Sequence, residues 1–444
     1  MNKKVSLSLL VTVVILAMTV TFSMTMVTAM RIFDKTVSSV KEKESMYQKL
    51  SEIDRYVRDN GYYPIDEKNL NDMLASGYIL GSGDRYAHYY TPEAYNELLK
   101  VQNGTMMGIG AKVVKDVSTG YARVIRVDEG TPAQERGMTK GCYITTIDGV
   151  DTKGVQTSEA MQRLLRGENG TTVELTWLST AAEEHTDTIT RRGYVRTTVE
   201  YSMINENCGY VRIWDFEEKT ASDLDYALTQ LKSNGAQSII FDLRDNTSTN
   251  MDAAIEAIDL VCPAGTIATA VYRNEDTQLL AYSEGETSLD LPFACLVNGN
   301  TANSAELFAS AARVLAGAKL VGVNTAGKGT IQSAPKMLSD GSAVTLTTAV
   351  LLAGDGSSYE GLGLTVDVER TLSADEIVLY YDFTPETDPQ IQKAAKVAID
   401  MAGGSTVAQE SANSESADAE NGGENTDADN ADEDANAASS EAAE

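Results

Sequence analysis

Residues 293–317 read FACLVNGNTANSAELFASAARVLAG. An apolar, strand-like run (FACLVNG) passes through a short polar turn into an Ala-rich, helix-like run (LFASAARVLAG). A turn that leaves a buried strand and enters a helix N-terminus is where backbone N–H groups and the helix dipole can stabilise developing negative charge. Its central segment, Asn300–Glu306, therefore poses the functional question of whether Ser304 is a nucleophile or whether Asn303 holds the decisive position.

Outward from this unit, strands and helices alternate. GYVRIW precedes the helix ASDLDYALTQLKSNG, whose Leu224, Leu228 and Leu231 share one face and whose stop is Gly235. SIIFDLRD, the helix MDAAIEAIDLV, and the strands AKLVGVN and AVTLTTAVLLA continue the pattern. Such alternation predicts crossover units around a partly parallel sheet. From Gly104 to Arg192 the pattern is different, with short strands (GIGAKVV, YARVIRV, YITTIDG, TTVELTWLS) and one helix, TSEAMQRLL. This reads as a separate β-rich module. Residues Ser51–Lys100 read as helical hairpins, with Thr91-Pro92-Glu93 a helix start. The 444 residues thus divide into 1–30, 31–103, 104–192, 193–402 and 403–444, an α+β multidomain chain.

The first segment is an apolar run of more than 20 residues behind Lys3 and Lys4, long enough to cross a bilayer. The positive-inside rule places the remainder of the chain outside the cytoplasm, as a single-pass cell-membrane protein. Cleavage after Ala29 stays open, although the run is longer than a usual signal core. Residues 31–50 suit a stalk or a dimerising helix, which leaves a homo-oligomer open. The net charge of −29 argues against nucleic acid as partner. Beyond Gly403 the chain is acidic, without Lys or Arg and with almost no apolar mass, and is expected to be disordered. Cys142, Cys208, Cys262 and Cys295 form no ligand pattern and read as small buried apolar residues. No metal and no cofactor is expected.

Several ordered motifs resemble the C-terminal processing peptidases, the tail-specific protease-like serine endopeptidases that carry a PDZ domain before a Ser/Lys core. They are GDRYAHYYTPEAY, GIG, TPAQERGMTKGCYITTIDG, IIFDLRDN, TANSAELFA, VGVNTAGKGTIQ, LSDGSAVTLTTA and GLGLTVDV, between about Ser51 and Lys396. The resemblance implies a PDZ domain over 104–192, a ClpP/crotonase-like α/β core over 193–402, and polypeptide C-termini or unfolded proteins as substrates. It makes Lys328 the general base, oriented by Gln332. Burial has to depress the pKa of such a lysine. Only two histidines exist, His88 in the helical-hairpin segment and His185 in a polar run, and neither reads as a catalytic base.

Two departures concern the reaction itself. The resemblance places the nucleophile three residues before Glu306, where the chain has Asn303, whose amide has no hydroxyl proton to give up. Losing a catalytic serine costs on the order of 10⁶-fold in rate. After IIFDLRDN a Pro-Gly-Gly is expected at the oxyanion site, but the chain reads Thr247-Ser248-Thr249, so Ser248, Thr249 and Ser304 make up the oxyanion region. Ser304 serves as nucleophile only if the turn shifts by one residue, since adjacent helical side chains diverge by about 100°. In the PDZ-like module, Gly108, Ile109 and Gly110 are the candidate carboxylate loop, with Met161 and Leu165 as lining for the terminal side chain or as core. Cys142 stands where the family has Asp, in a turn away from the peptide groove. The chain is then either a peptide-recognising member with impaired or lost hydrolysis, or an active endopeptidase using Ser304 with Lys328.

Overall fold

The computed structural model describes the backbone of residues 7–102, 106–285 and 289–418; side chains are described for these except 7–13, 31–43, 101–102, 106 and 404–418. The chain forms two units, divided after Tyr78.

The first unit is dominated by one helix, Leu7–Asn60, which runs unbroken through the boundary expected at residue 30. It ends at Asn60, before Gly61 and Pro64, and a second helix, Glu67–Gly81, follows. Over Ser51–Lys100, where helical hairpins are expected, the chain forms the end of the long helix, the Glu67 helix, a short strand His88–Tyr90 and the helix Pro92–Gln102, so a strand joins the expected helices. That last helix starts where Thr91-Pro92-Glu93 predicts, with the Ala94 N–H donating to Thr91 Oγ1 at 3.2 Å. His88 belongs to the strand, because the HYY aromatics favour an extended chain that pairs antiparallel with Ala343–Thr345. Among the described residues no helix is long and apolar enough to cross a membrane. The apolar run begins before Val14, outside the described side chains. In the described part, Thr19, Thr21, Thr25 and Thr28 each donate their hydroxyl to the carbonyl four residues back, at 2.6 to 2.8 Å.

In the second unit the β-rich module is an antiparallel sheet ordered Ala111–Lys115, Ala122–Val127, Tyr143–Ile147, Thr172–Leu178 and Glu184–Thr190. The helix Ser158–Leu165 covers it, with Thr157 capping the Ala160 N–H. Ile109, Val113, Val124, Ile144, Met161, Leu165 and Trp177 form its core. The last strand was not legible as one, since only Ile189 of it is buried. It is held by pairing along the whole of Thr172–Leu178, by His185 stacked on Trp177, and by the Trp177 N–H donating to Asp187 at 3.0 Å.

The core domain is built on a six-stranded sheet ordered Val199–Asn205, Cys208–Ile213, Ser238–Asp242, Phe293–Val297, Lys319–Gly322 and Val368–Glu369. All its pairs are parallel except the first. Helices Thr220–Ser233, Met251–Val261 and Ser304–Ala316 pack on one face, and the helix Pro389–Asp418 on the other. A second sheet, ordered Thr277–Ser283, Gly265–Tyr272, Thr347–Ala353 and Thr330–Gln332, lies against the far side of the Ser304–Ala316 helix. Lying between two sheets and a neighbouring helix, that helix needs small side chains on several faces, which explains its Ala content; every residue from Ser304 to Ala312 is buried. All four cysteines are free and buried. The helix that starts at Pro389 continues past Gly403 to Asp418, although Ser, Thr, Asn and Gly in that stretch are weak helix formers. The rest of the acidic tail, 419–444, lies outside the described residues.

A buried ion network ties the end of the Ser238–Asp242 strand to the start of the Pro389 helix. Arg244 donates to Asp242 at 2.9 and 2.7 Å, to Asp388 at 2.9 Å and to Gln390 at 2.9 Å. Burial alone would raise the Asp242 carboxyl, but Arg212 and Arg244 hold it well below the usual carboxylate range. Its stabilisation is therefore complete above the unfolded carboxyl value of about 3.9 and is lost as pH falls towards the folded value. Replacing Arg244 with Ala takes the charge partner from buried Asp388 and leaves Asp242 with Arg212 as its one arginine. The expected cost is about 3–5 kcal/mol, seen as a lower denaturant midpoint at unchanged slope.

Candidate active site

The strand Phe293–Val297 delivers the chain to the carboxyl edge of the parallel sheet, the usual place for a site in such folds. There the turn 298–304 is stitched to the loop 243–250 that leaves the neighbouring strand. Thr301 donates its hydroxyl to the Leu243 carbonyl at 2.9 Å, and the Ala302 N–H donates to the Asn246 carbonyl at 3.0 Å. The Ser304 N–H donates to the Ser248 carbonyl at 3.0 Å.

At the tip of this turn Asn303 has φ 55° and ψ −116°, a sparsely populated conformation for a residue with a side chain. It is the sharp strand-to-helix geometry that presents a side chain above the sheet. The Asn303 amide donates to the Thr247 carbonyl at 3.2 Å. Ser304, one residue on, is fully buried, and its Oγ has no hydrogen-bond partner among the described residues.

Glu306, on the first turn of the helix and fully buried, organises the rest. Its Oε2 accepts from the Asn303 N–H at 3.2 Å and from the Lys328 N–H at 2.8 Å. Its Oε1 accepts from Thr325 Oγ1 at 2.5 Å and from the Gly327 N–H at 2.7 Å. The turn with Asn303 and the loop with Lys328 are thus fixed to one carboxylate. Gly327 has φ 78°, and a Cβ there would lie 2.7 Å from the Gly363 nitrogen, so only glycine fits. Half-buried Lys328 has its pKa lowered by that burial, against the opposing pull of Glu360 and Glu306. Its ammonium lies 5.1 Å from the centre of the Tyr86 ring.

The Lys328 loop is backed from outside by the segment before the β-rich module. Tyr86 Oη and Arg85 Nη2 each donate to the Gly327 carbonyl at 3.0 Å, and Arg85 pairs with Glu360 at 2.9 Å. Glu360 accepts in turn from the Gly329 N–H at 2.8 Å. Asp84 accepts from the Thr347 N–H and hydroxyl at 2.7 and 2.8 Å. Beside the 247–250 loop lies a cleft of about 410 Å³, lined by Thr247, Ser248 and Thr249 together with Arg196, Asp215 and Glu217.

A family model, "Peptidase family S41", matches residues 207–370, which carry the turn, the helix and the lysine loop. The carboxy-terminal processing protease CtpA of Bacillus subtilis (strain 168) is 31% identical over 336 residues, covering 75% of this chain and 71% of its own. The chain belongs to peptidase family S41. The carboxyl-terminal-processing protease of Synechocystis sp. is 32% identical over 351 residues, covering 78% of each chain.

Within this S41 fold the sequence-derived residues divide. Asn303, Ser304, Lys328 and the Ser248–Thr249 loop are brought together. Gln332 lies on the strand after the lysine loop and donates its amide to Thr330 Oγ1 at 2.7 Å. His88 lies on another strand against the Tyr90 ring, and His185 on another against Trp177. In the β-rich module, Gly108 bridges to Arg192, and the carbonyls of Ile109 and Gly110 accept from the Ala133 and Asp128 N–H groups, both at 2.8 Å. Gly110 has φ 82°, with Thr131 where a Cβ would be. Met161 and Leu165 do not line an open pocket. Both are core, 0% and 1% exposed, because the amphipathic helix turns that stripe inward. The reading of the sequence missed Glu306 as an organiser and gave Asp84, Arg85, Tyr86 and Glu360 no role. The available signal was local: an acid three residues after an N-cap candidate is a capping pattern.

Glu306→Gln keeps the shape but replaces one acceptor oxygen by a donor that faces two other donors. A loss of about 2–4 kcal/mol is expected. Amide hydrogen exchange at Gly327 and Lys328 should quicken selectively, and unchanged exchange there would show that the loop does not depend on Glu306.

Proposed function

We propose that this S41 chain is a membrane-anchored, extracytoplasmic protein whose β-rich module is a PDZ domain recognising polypeptide C-termini, and in which Ser/Lys peptide hydrolysis is impaired or lost. The observation that carries the loss is the chemistry at the strained turn. Asn303 occupies the presenting position with its φ of 55°, and Ser304, the neighbouring hydroxyl, is buried. Asn303 brings an amide, which has no proton to give the Lys328 amine and is a poor nucleophile.

The oxyanion side supports the same reading. Acyl transfer needs N–H donors aimed at the developing negative charge, each worth roughly 10²–10³ in turnover. Here the Ser304 N–H is already spent on the Ser248 carbonyl, and the Thr247 carbonyl takes the Asn303 amide. The loop that a glycine pair would leave open carries Thr247, Ser248 and Thr249, and presents carbonyl acceptors to the turn. One observation favours the second reading, an active peptidase with Lys328 as base: burial lowers the Lys328 pKa, as a general base requires.

Fluorophosphonate labelling of the purified chain separates the two. Little or no labelling and negligible cleavage of unfolded protein are expected, and Asn303→Ser should raise labelling while turnover stays low. If the native chain labels and cleaves, and Ser304→Ala and Lys328→Ala each abolish both, the loss of hydrolysis is refuted.

The anchor rests on Lys3, Lys4 and the apolar run, and on the threonine hydroxyls satisfied within their own helix, as a polar group in hydrocarbon requires. The full chain should sediment with membranes and be released by detergent but not by high salt. Removal of residues 1–30 should leave the remainder soluble. Release by salt alone would rule out a spanning anchor.

A further inference from the structure

The strand Ala111–Lys115 is an edge: it pairs with Ala122–Val127 on one side and with no strand on the other among the described residues. Such an edge offers alternate N–H and C=O groups to an incoming peptide. In this chain those groups are taken. Gln162 Nε2 donates to the Ala111 carbonyl at 3.0 Å, and the Val113 N–H donates to Gln162 Oε1 at 3.0 Å. Further along, the Lys115 N–H donates to Ser158 Oγ at 2.9 Å. Lys115 Nζ also reaches across to the Val155 carbonyl at 2.5 Å. The Gln162 amide supplies one donor and one acceptor to residues two apart, as a peptide unit of an added strand would.

We propose that Gln162 is a built-in competitor for the peptide groove: a polypeptide C-terminus enters between the Ala111–Lys115 strand and the Ser158–Leu165 helix only after displacing the Gln162 amide. The inference rests on the PDZ reading above. It makes Gln162 an affinity threshold common to all peptides, because the incoming backbone must replace both its hydrogen bonds before any side-chain contact adds affinity. Ser158 blocks the position next along the strand in the same way. The helix itself stays in place without Gln162, since Met161 and Leu165 anchor it in the core and Ala favours helix.

The test uses the full chain, a fluorescein-labelled octapeptide ending in valine with a free carboxylate, and its amidated twin. Gln162→Ala should bind the free-carboxylate peptide on the order of 10-fold more tightly than the native chain, since a competing pair of hydrogen bonds is gone. Its melting temperature should hold, and amide exchange at Val113 should speed up in the absence of peptide. Equal or weaker peptide binding by Gln162→Ala, with the native chain still discriminating against the amidated twin, would overturn the competitor and leave the PDZ reading standing. Binding by neither protein, or binding indifferent to amidation, would overturn both. Unchanged exchange at Val113 would show that the clamp does not exist in solution, whatever the peptide does.

Discussion

A single buried carboxylate, Glu306, sets where everything at the site can be. Four donors converge on it from two chain segments: the Asn303 N–H from one, and the Thr325 hydroxyl and the N–H groups of Gly327 and Lys328 from the other. Removing an ionised carboxylate from water is expensive unless its lone pairs are satisfied. The donors do this, and the position of Glu306 on the first turn of a helix adds the favourable end of the helix dipole. Because the four bonds come from two loops distant in sequence, neither loop can shift without exposing the charge to an unmatched interior. The strained conformation of Asn303 persists for the same reason. A penalty of about 1–3 kcal/mol in the backbone is held in place by contacts that would all be lost together.

The helix that carries Glu306 is fixed by what surrounds it. It lies between two sheets, with every residue from Ser304 to Ala312 buried. Behind the neighbouring strand, the Asp242–Arg244–Asp388 network joins the loop 243–250 to the start of the last helix, on the opposite face of the sheet. Asp242 and Arg244 sit one residue apart on either side of Leu243, so the charges lie at the strand's end while Leu243 enters the core. The turn bearing Asn303 and the loop bearing Thr247–Thr249 are thus held from below by a packed helix and from the side by a buried ion network. Their mutual hydrogen bonds can then be short-range and specific.

Much of this was legible in the sequence because it follows from periodicity and punctuation. Leu224, Leu228 and Leu231 marked their helix face, FACLV its buried strand, and Thr91-Pro92 a helix start. The hairpin Gly265–Tyr272 with Thr277–Ser283 was not legible. It carries polar residues on exposed positions and gains its order from pairing with Thr347–Ala353, a contact between distant segments. The Glu184–Thr190 strand was missed for a similar reason. For Met161 and Leu165, one turn apart, periodicity left pocket lining and core both open; the fold makes them core, while the polar residue between them, Gln162, faces the edge strand. Lys328 and Asn303 were found from motif spacing. Glu306 was used only to count from, since four donors converging on one acid appear only once the chain is folded.

The lysine loop is where folding and chemistry can be separated. Thr325 and the N–H groups of Gly327 and Lys328 serve Glu306, Gly327 alone fits its positive φ, and Gly329 donates to Glu360. Each of these residues is required by the architecture whether or not a bond is ever cleaved. None of these contacts uses the Lys328 side chain. A chain that kept this loop for stability alone would keep its backbone and glycines and be indifferent to the amine. The amine is nevertheless half-buried beside the Tyr86 ring, where burial works against its charge. That placement costs more than the attraction of Glu360 and Glu306 returns, so the Lys328 side chain is the part of the site that the fold does not account for.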